Sequence, residues 1–288
     1  MKLKKLRRRG SRVTGWRLFG LQLLLLILAI PFLFPTWWMV TASLKTVNEI
    51  FDFPNSLIPN GREWQNYKEV FRLQPFLKQY WNSLSIASIV TLIQVTISVL
   101  AGYAFAKIRF FARDKIFVLM LAGLLMPAEV TLIPLFRLMV NWNLSDSYAP
   151  VILIPAFGAH AIVGVFLMRQ FFIEIPIELE EAAEIDGLTK FQSFRRIALP
   201  LSGPAVASLS ILTFLYSWNL FLEPLVFLTD PNRYTIPVVL PQFTDTYGSP
   251  IWNIQLAATS LSVIPVMVVF VMAQRHFIRG ITMTGLKS

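Results

Sequence analysis

Long apolar stretches recur along the whole chain and give the first prediction about its architecture. A helix needs about 20 mostly apolar residues to cross the hydrocarbon core of a bilayer. Six stretches meet that length, at about Leu18–Val40, Leu84–Phe105, Ile116–Leu138, Pro150–Met168, Pro204–Leu228 and Ile254–Met272. Backbone groups inside hydrocarbon must bond within their own segment, which favours helices. The pattern therefore predicts an all-α integral membrane protein with six transmembrane helices.

The composition also fits a chain that lies mostly in lipid. Only 15% of the 288 residues are charged and 55% are hydrophobic, whereas a soluble domain carries about 25% charged residues. Lys and Arg outnumber Asp and Glu by 26 to 16, a net charge of +10. In a soluble protein this excess would suggest nucleic-acid binding. Basic loops retained in the cytoplasm explain it better here, so no nucleic-acid partner is expected.

The distribution of basic residues predicts the orientation of the six spans. Counted over the connections, 19 Lys and Arg fall on the side of the two termini and 6 on the other side. Lys and Arg stay on the cytoplasmic side, so we predict a multi-pass plasma-membrane protein with both termini in the cytoplasm. The first apolar stretch is long for a signal peptide and lacks a small-residue cleavage site, so we expect it to remain as a helix.

These boundaries divide the chain into three parts. Residues 1–17 form a basic cytoplasmic N-terminus, residues 18–273 the transmembrane domain and residues 274–288 a cytoplasmic tail. The predicted cytoplasmic loop at about 170–203 holds six of the 16 acidic residues within about 13 positions: Glu174, Glu178, Glu180, Glu181, Glu184 and Asp186. The density of acidic residues makes this loop the most informative part of the sequence.

The loop is predicted to form two short helices joined by a glycine turn. Pro176 suits a helix start, and Gly187 suits a left-handed helix end. Thr189 is placed to cap a second helix through Ile197, and Pro200 is expected to close it. Leu179, Ala182, Ala183 and Asp186 share one face of the first helix, where small side chains would let another protein approach closely. From the residues alone, a solvated acidic connector explains the loop equally well.

The spacing in this loop resembles a known motif. Glu181-Ala182-Ala183, three residues, Gly187, nine residues and Ile197-x-Leu199-Pro200 resemble the EAA loop of bacterial ABC import permeases. The resemblance to maltose-type sugar permeases extends along the chain. It includes Asn66-Tyr67, Asn82-Ser83-Leu84, Met126-Pro127, Ile133-Pro134, Trp218-Asn219, Pro224-Leu225 and the tail from Gln274 to Lys287. The tail is similar to that of the smaller, MalG-like subunit, although Met283–Leu286 departs from the usual pattern there.

The resemblance implies a set of partners and a bacterial inner-membrane location. Such subunits pair with a homologous second permease, receive solute from an extracytoplasmic solute-binding protein and are driven by two ABC ATPase subunits. It implies that Glu181, Ala182, Ala183, Asp186 and Gly187 couple the permease to an ATPase. In MalG-like subunits the C-terminal tail also reaches the ATPase interface. The solute it implies is a carbohydrate or a related compound.

Several kinds of chemistry lack their sequence signatures. No G-x-x-x-x-G-K-[ST] run occurs, so ATP hydrolysis is expected from a partner rather than from this chain. Cysteine is absent, and the two histidines, His160 and His276, are too few and too far apart for a metal site. We therefore expect no cofactor, no metal and no enzymatic activity. A membrane-embedded enzyme or a permease for a non-sugar solute remains the alternative.

Polar residues inside the predicted spans are candidates for a solute path. Charges are costly in lipid and usually face the bundle interior or water. Glu129 and Asn219 are the path candidates, and Arg137, His160 and Glu223 also lie in or near spans. Interhelical hydrogen bonding and snorkelling to the membrane surface are the alternative roles for these side chains.

Overall fold

The computed structural model describes residues 15–52 and 57–284, and it describes side chains as far as residue 272. Helices account for nearly all of the regular structure in these ranges, together with one isolated β-bridge between Thr244 and Pro250. The helices that build the bundle are α1 (Gly15–Ala42), α2 (Val47–Asp52), α3 (Gln65–Leu73), α4 (Phe76–Lys107), α5 (Arg113–Ala122), α6 (Ala128–Asn141), α7 (Tyr148–Phe157) and α8 (Ala159–Glu174). They continue as α9 (Ile177–Ile185), α10 (Lys190–Ser193), α11 (Leu199–Leu201), α12 (Gly203–Trp218), α13 (Leu222–Phe227), α14 (Ile236–Val239) and α15 (Trp252–Thr284).

Membrane-length helices number four among the described residues, or six if two bent pairs each count as one span. The four are Leu18–Ala42, Phe76–Lys107, Tyr148–Glu174 and Trp252–Met272. The bent pairs are Arg113–Leu125 with Ala128–Asn141, at 98°, and Lys190–Leu201 with Gly203–Trp218, at 74°. The all-α membrane architecture is confirmed, while the count of six spans stays a prediction.

The third predicted span, Ile116–Leu138, is wrong as a single helix. The chain turns extended at Met126 and Pro127, with ψ of 120° and 133°, before α6 begins. Proline excludes the helical conformation from the residue before it and has no N–H to continue the backbone ladder. An apolar run alone did not reveal this break.

The fifth predicted span, Pro204–Leu228, is also interrupted. Helix α12 ends at Trp218 and α13 begins at Leu222. Pro224 cannot donate a bond to the carbonyl four residues earlier, and its ring would collide with it. The carbonyl of Leu215 accepts both from the backbone N–H of Asn219, at 3.2 Å, and from its side-chain amide, at 2.7 Å.

Helix α4 lies at the centre of the bundle and packs against α7, α8 and α12. Close approach of α4 to α8 depends on glycine, because a Cβ on Gly102 would lie 2.6 Å from Cβ of Met168. Small residues serve this purpose in membrane helices, where no hydrophobic force draws one helix to another. Helix α1 contrasts with α4, since no residue in the most apolar part of Leu18–Ala42 is buried. Its exposed leucines suit contact with lipid.

The two ends of the bundle carry different structures. We call the end with residues 175–203 the loop end, and the end with residues 42–52, 57–75 and 229–251 the far end. At the far end, Asn66 Nδ2 donates to the carbonyls of Ser43 (2.9 Å) and Lys45 (3.0 Å). Asn82 Nδ2 donates to the carbonyls of Asn232 (2.9 Å) and Tyr234 (3.1 Å). Two asparagines that carried the sequence resemblance therefore tie loops to helices.

Candidate functional site

The first helix of loop 175–203 ends in the way that its sequence predicts. Gly187 has φ of +78°, the left-handed conformation that glycine adopts without strain. The N–H of Leu188 bonds the carbonyl of Ala183 at 2.9 Å, and that of Gly187 bonds Glu184 at 3.0 Å. This pair of bonds is the Schellman motif, which satisfies the last carbonyls of α9 and turns the chain sharply. The predicted role of Gly187 as the helix end is confirmed.

The second helix of the loop starts as predicted and ends differently. Thr189 and Gln192 form a capping box, with the Thr189 N–H donating to Gln192 Oε1 at 2.8 Å. The prediction that Pro200 closes this helix is wrong. A π-helical turn at Phe194–Ala198 comes first, and the helix then runs through Pro200 to Leu201. Pro200 follows this π-helical turn, and the helix ends one residue after it, at Leu201.

The short helix α9 has one face turned outward and one turned into the chain. Glu181, Ala182 and Asp186 are exposed, and Ile185 is 87% exposed. Ala183, in contrast, is only 4% exposed. The prediction that Ala183 presents its small side chain to another protein is therefore wrong in this structure. Its small size instead lets α9 lie close to the rest of its own chain.

A buried ion pair fixes α9 to the bundle. Lys107 Nζ, at the end of α4, lies 3.6 Å from Glu180 Oε1 in the first turn of α9. The same Nζ donates to the carbonyl of Ile175, the residue that ends α8, at 2.7 Å. The Lys107 and Glu180 side chains are 7% and 4% exposed. One cation thus joins three helices, and the acidic cluster is only partly a solvated surface.

Aromatic packing completes the support beneath the loop. The Tyr103 ring lies one turn before Lys107 and contacts Phe172 of α8, with ring centroids 5.5 Å apart. It also contacts Phe194 in the second helix of the loop at 4.8 Å. These rings belong to a buried cluster with Val99 and Met168. Loop 175–203 therefore packs against α4 and α8.

The two path candidates lie beside helix breaks but do not meet each other. Glu129 is exposed in the first turn of α6, directly after the break at Pro127. Asn219 is exposed where α12 ends, and its amide bonds the same helix. A cavity of 620 Å³ nearby is bounded by parts of α6, α7, α8 and α12 and by Glu223 of α13. It draws walls from three interrupted helices, the arrangement seen where transporters hold solutes.

A stacked ring pair lines this cavity. The rings of His160 and Tyr216 lie parallel, with centroids 3.7 Å apart and an interplanar angle of 4°. Sequence analysis named His160 but not Tyr216. It also did not single out Ile185 as an exposed apolar residue of α9, or Lys107 and Glu180 as a buried ion pair. An isoleucine inside an acid-rich helix and a lysine ending an apolar run were the available signals.

The described residues bring together no catalytic or metal-binding constellation. Among them, no group of three or more His, Asp or Glu side chains is placed to hold a metal ion. What the chain does present is a bundle of apolar helices, broken spans around a cavity and a firmly seated loop with an exposed apolar tip. Broken spans around a cavity are the arrangement of membrane transport proteins.

Comparison with known proteins identifies the family. The family described as "Binding-protein-dependent transport system inner membrane component" matches residues 94–283. The chain belongs to this family of ABC importer permeases. It is 34% identical over 98% of its length, and 100% of the relative's, to the arabinooligosaccharides transport system permease protein AraQ of Halalkalibacterium halodurans. It is 35% identical to the sn-glycerol-3-phosphate transport system permease protein UgpE of Yersinia pestis bv. Antiqua, over 90% of this chain and 94% of that one.

Solved structures show the same fold. The chain resembles a subunit of a bacterial ABC transporter that imports the acidic polysaccharide alginate, with a TM-score of 0.73 and 23% identity. That match covers 91% of this chain and 97% of the other. The MetNI methionine ABC transporter gives a TM-score of 0.58 over 69% of this chain and 93% of that one, at 17% identity. The permease fold is therefore shared well beyond the relatives with similar sequences.

Proposed function

We propose that this chain is one permease subunit of an ABC importer for a carbohydrate or a related solute. It would form the translocation path with a homologous second permease, receive solute from an extracytoplasmic binding protein and be driven by two ABC ATPase subunits. The relatives named for arabinooligosaccharides and sn-glycerol 3-phosphate support this solute class. The bias of basic residues toward the termini supports a cytoplasmic loop end with both termini in the cytoplasm.

The exposed face of α9 carries the proposal. Its apolar tip, Ile185, is surrounded by the polar side chains of Glu181 and Asp186. Helix α9 also exposes Ile177 (53%) and Leu179 (42%), and several exposed apolar side chains with a polar rim mark a site of protein contact, whereas a single one does not. Glu181, Ala182 and Asp186 would enter a groove of one ATPase together with Ile185. Gly187 would shape the end of the helix, and Ala183 would seat it on its own chain.

An association assay tests this docking. Ile185→Glu should reduce co-purification of the ATPase with the permease about tenfold or more, because it places a charge in an apolar contact. Ile185→Leu is the matched control and should leave association near the wild-type level. Membrane levels of both variants should be equal, since the side chain makes little contact within its own chain. Normal ATPase recovery with Ile185→Glu would contradict the proposal.

Glu129 and Asn219 are proposed to face the solute path. Both are exposed and lie directly beside helix breaks. Helix interruptions expose backbone groups that bind solutes in transporters. Because the chain has no native cysteine, Glu129→Cys and Asn219→Cys can be labelled with water-soluble maleimides in the assembled importer. If the transported sugar slows maleimide labelling at neither cysteine, the two residues do not face the solute path.

A further inference from the structure

We propose that α4 is a rigid rod that transmits movement of loop 175–203 to the cavity between α6, α7, α8 and α12. Lys107 is the positioning residue at its loop end, and Gln94 is the positioning residue at its middle. The inference rests on the proposed docking of an ATPase on α9. It adds the route by which that docking would reach the cavity.

The first joint of the rod is the contact of Lys107 with Glu180 and Ile175. Glu180 belongs to α9, whose opposite face carries Ile185. Within the described residues, the ion pairs of α9 reach only Lys107 and, inside the loop, Lys190. Lys107 is therefore the charged link between α9 and a membrane-spanning helix. A buried ion pair resists separation, because each charge would be left without a partner away from water.

The second joint lies farther along the same helix. Gln94 is fully buried, and its Nε2 donates to the carbonyl of His160 at 3.2 Å. His160 follows the Gly158 break between α7 and α8, and its ring stacks on Tyr216 inside the cavity. Any displacement of α4 would therefore act directly on a wall of the cavity. A buried amide in an apolar span is costly, and such residues usually have a function.

The segment between the joints is suited to carry a displacement. Thirteen residues separate Gln94 from Lys107, which is about 20 Å of helix at 1.5 Å per residue. Helix α4 runs unbroken for 32 residues and contains no proline. The other helices around the cavity are interrupted near it, at Pro127, at Gly158 and after Trp218. A continuous helix flanked by broken ones moves as a body while its neighbours bend.

An accessibility assay without any transported solute tests the rod. Val130 lines the cavity and is 65% exposed, so Val130→Cys provides a single reactive site in a chain without cysteine. The assembled importer, with cysteine-free partner subunits, is treated with a water-soluble maleimide without nucleotide and after trapping with ATP and vanadate. With Lys107 present, trapping should change the labelling rate about fivefold or more, the range of ordinary allosteric coupling.

The variants separate positioning from folding. Lys107→Met, Glu180→Gln and Gln94→Leu should each reduce the trapping response to less than about twofold, while ATPase co-purification stays at the wild-type level. Lys107→Arg should keep the response, because it preserves the cation. Lys190→Met is the matched control, because it removes the exposed ion pair of α9 that reaches no spanning helix. Should Lys107→Met not accumulate in the membrane, the isosteric Glu180→Gln decides the question.

Three results would overturn one or the other of these claims. A full trapping response in Lys107→Met or Glu180→Gln, with Ile185→Glu still losing the ATPase, overturns the rod and leaves the docking proposal standing. Normal ATPase recovery in Ile185→Glu overturns the docking proposal itself. Loss of the response in Lys107→Arg together with Lys190→Met would also overturn the rod, because the first variant keeps the cation beside Glu180 and the second alters no contact with a spanning helix.

Discussion

The far end and the loop end of the bundle are held together by different forces. At the far end, side-chain amides and hydroxyls bond backbone groups of distant segments, as Asn66, Asn82 and Ser83 do. At the loop end, loop 175–203 is held by one buried ion pair, one hydrogen bond from Lys107 to the Ile175 carbonyl, and close packing around Gly102 and Tyr103. Directional bonds fix one geometry, whereas a seated helix can shift as a unit. In the proposed transport cycle, the far end would be the fixed frame and loop 175–203 the part that moves.

The largest effect is expected from removing a bond donor of the far end. Asn66 is 7% exposed, donates to two carbonyls and accepts from Asn253 Nδ2 at 2.8 Å. Asn66→Leu strands three polar groups in a buried place and should lower the free energy of unfolding by about 4 kcal/mol. Thermal unfolding of the purified permease in detergent measures it. Gln65→Leu changes the neighbouring exposed amide and should have little effect on stability. Equal losses of stability in both variants would show that the hydrogen bonds of Asn66 do not hold these segments together.

A smaller effect is expected from overpacking the loop end. Gly102→Ala places a methyl group 2.6 Å from Cβ of Met168 and 2.9 Å from the backbone nitrogen of Arg169. Helices α4 and α8 must then separate, which should cost about 2 kcal/mol. The same substitution at Gly203 meets no atom within 4 Å and serves as the control. Unchanged thermal stability in Gly102→Ala would mean that α4 and α8 separate at little cost. Their packing beneath loop 175–203 would then be less tight than the structure indicates.

Sequence reasoning predicted the architecture where a local rule decides it. Apolar length located the membrane helices, and Gly187 and Thr189 marked a turn and a cap through their own conformational preferences. It failed where proline competes with an apolar run, at Pro127 and Pro224. Hydrophobicity does not register a missing N–H, so each of those runs is predicted as one helix.

The candidate site was predictable only in part, for a related reason. Spacing placed Ala182 and Ala183 on one helical face, but only tertiary packing decides that Ala183 turns inward. Lys107 and Glu180 lie 73 positions apart in the sequence, and nothing local relates them. Tyr216 resembles any other aromatic residue of an apolar span until its ring is found on His160. Long-range pairs of this kind need coordinates.

The smallest effect concerns pH at the far end. Asp146 Oδ1 accepts from the backbone N–H of Thr229 at 2.9 Å, and Arg233 donates to its other carboxylate oxygen at 3.2 Å. The Thr229 N–H is the main cause that holds the pKa of Asp146 below its ordinary value, with smaller contributions from the Asp230 N–H and the Arg233 charge. All of these groups connect the loop after α6 to the loop after α13.

The direction of the pH effect follows from that lowered pKa. An unfolded aspartate titrates near pH 4, and the folded carboxyl keeps its charge to lower pH. Its contribution to stability is therefore complete above about pH 5 and is lost as pH falls through the lower, folded pKa. In Asp146→Asn the difference in thermal midpoint from wild type should be constant between pH 5 and about pH 7 and shrink below about pH 4. Arg233→Met should retain most of this dependence, because the Thr229 N–H remains. A pH-independent difference for Asp146→Asn would show that the carboxylate charge does not hold these two loops together.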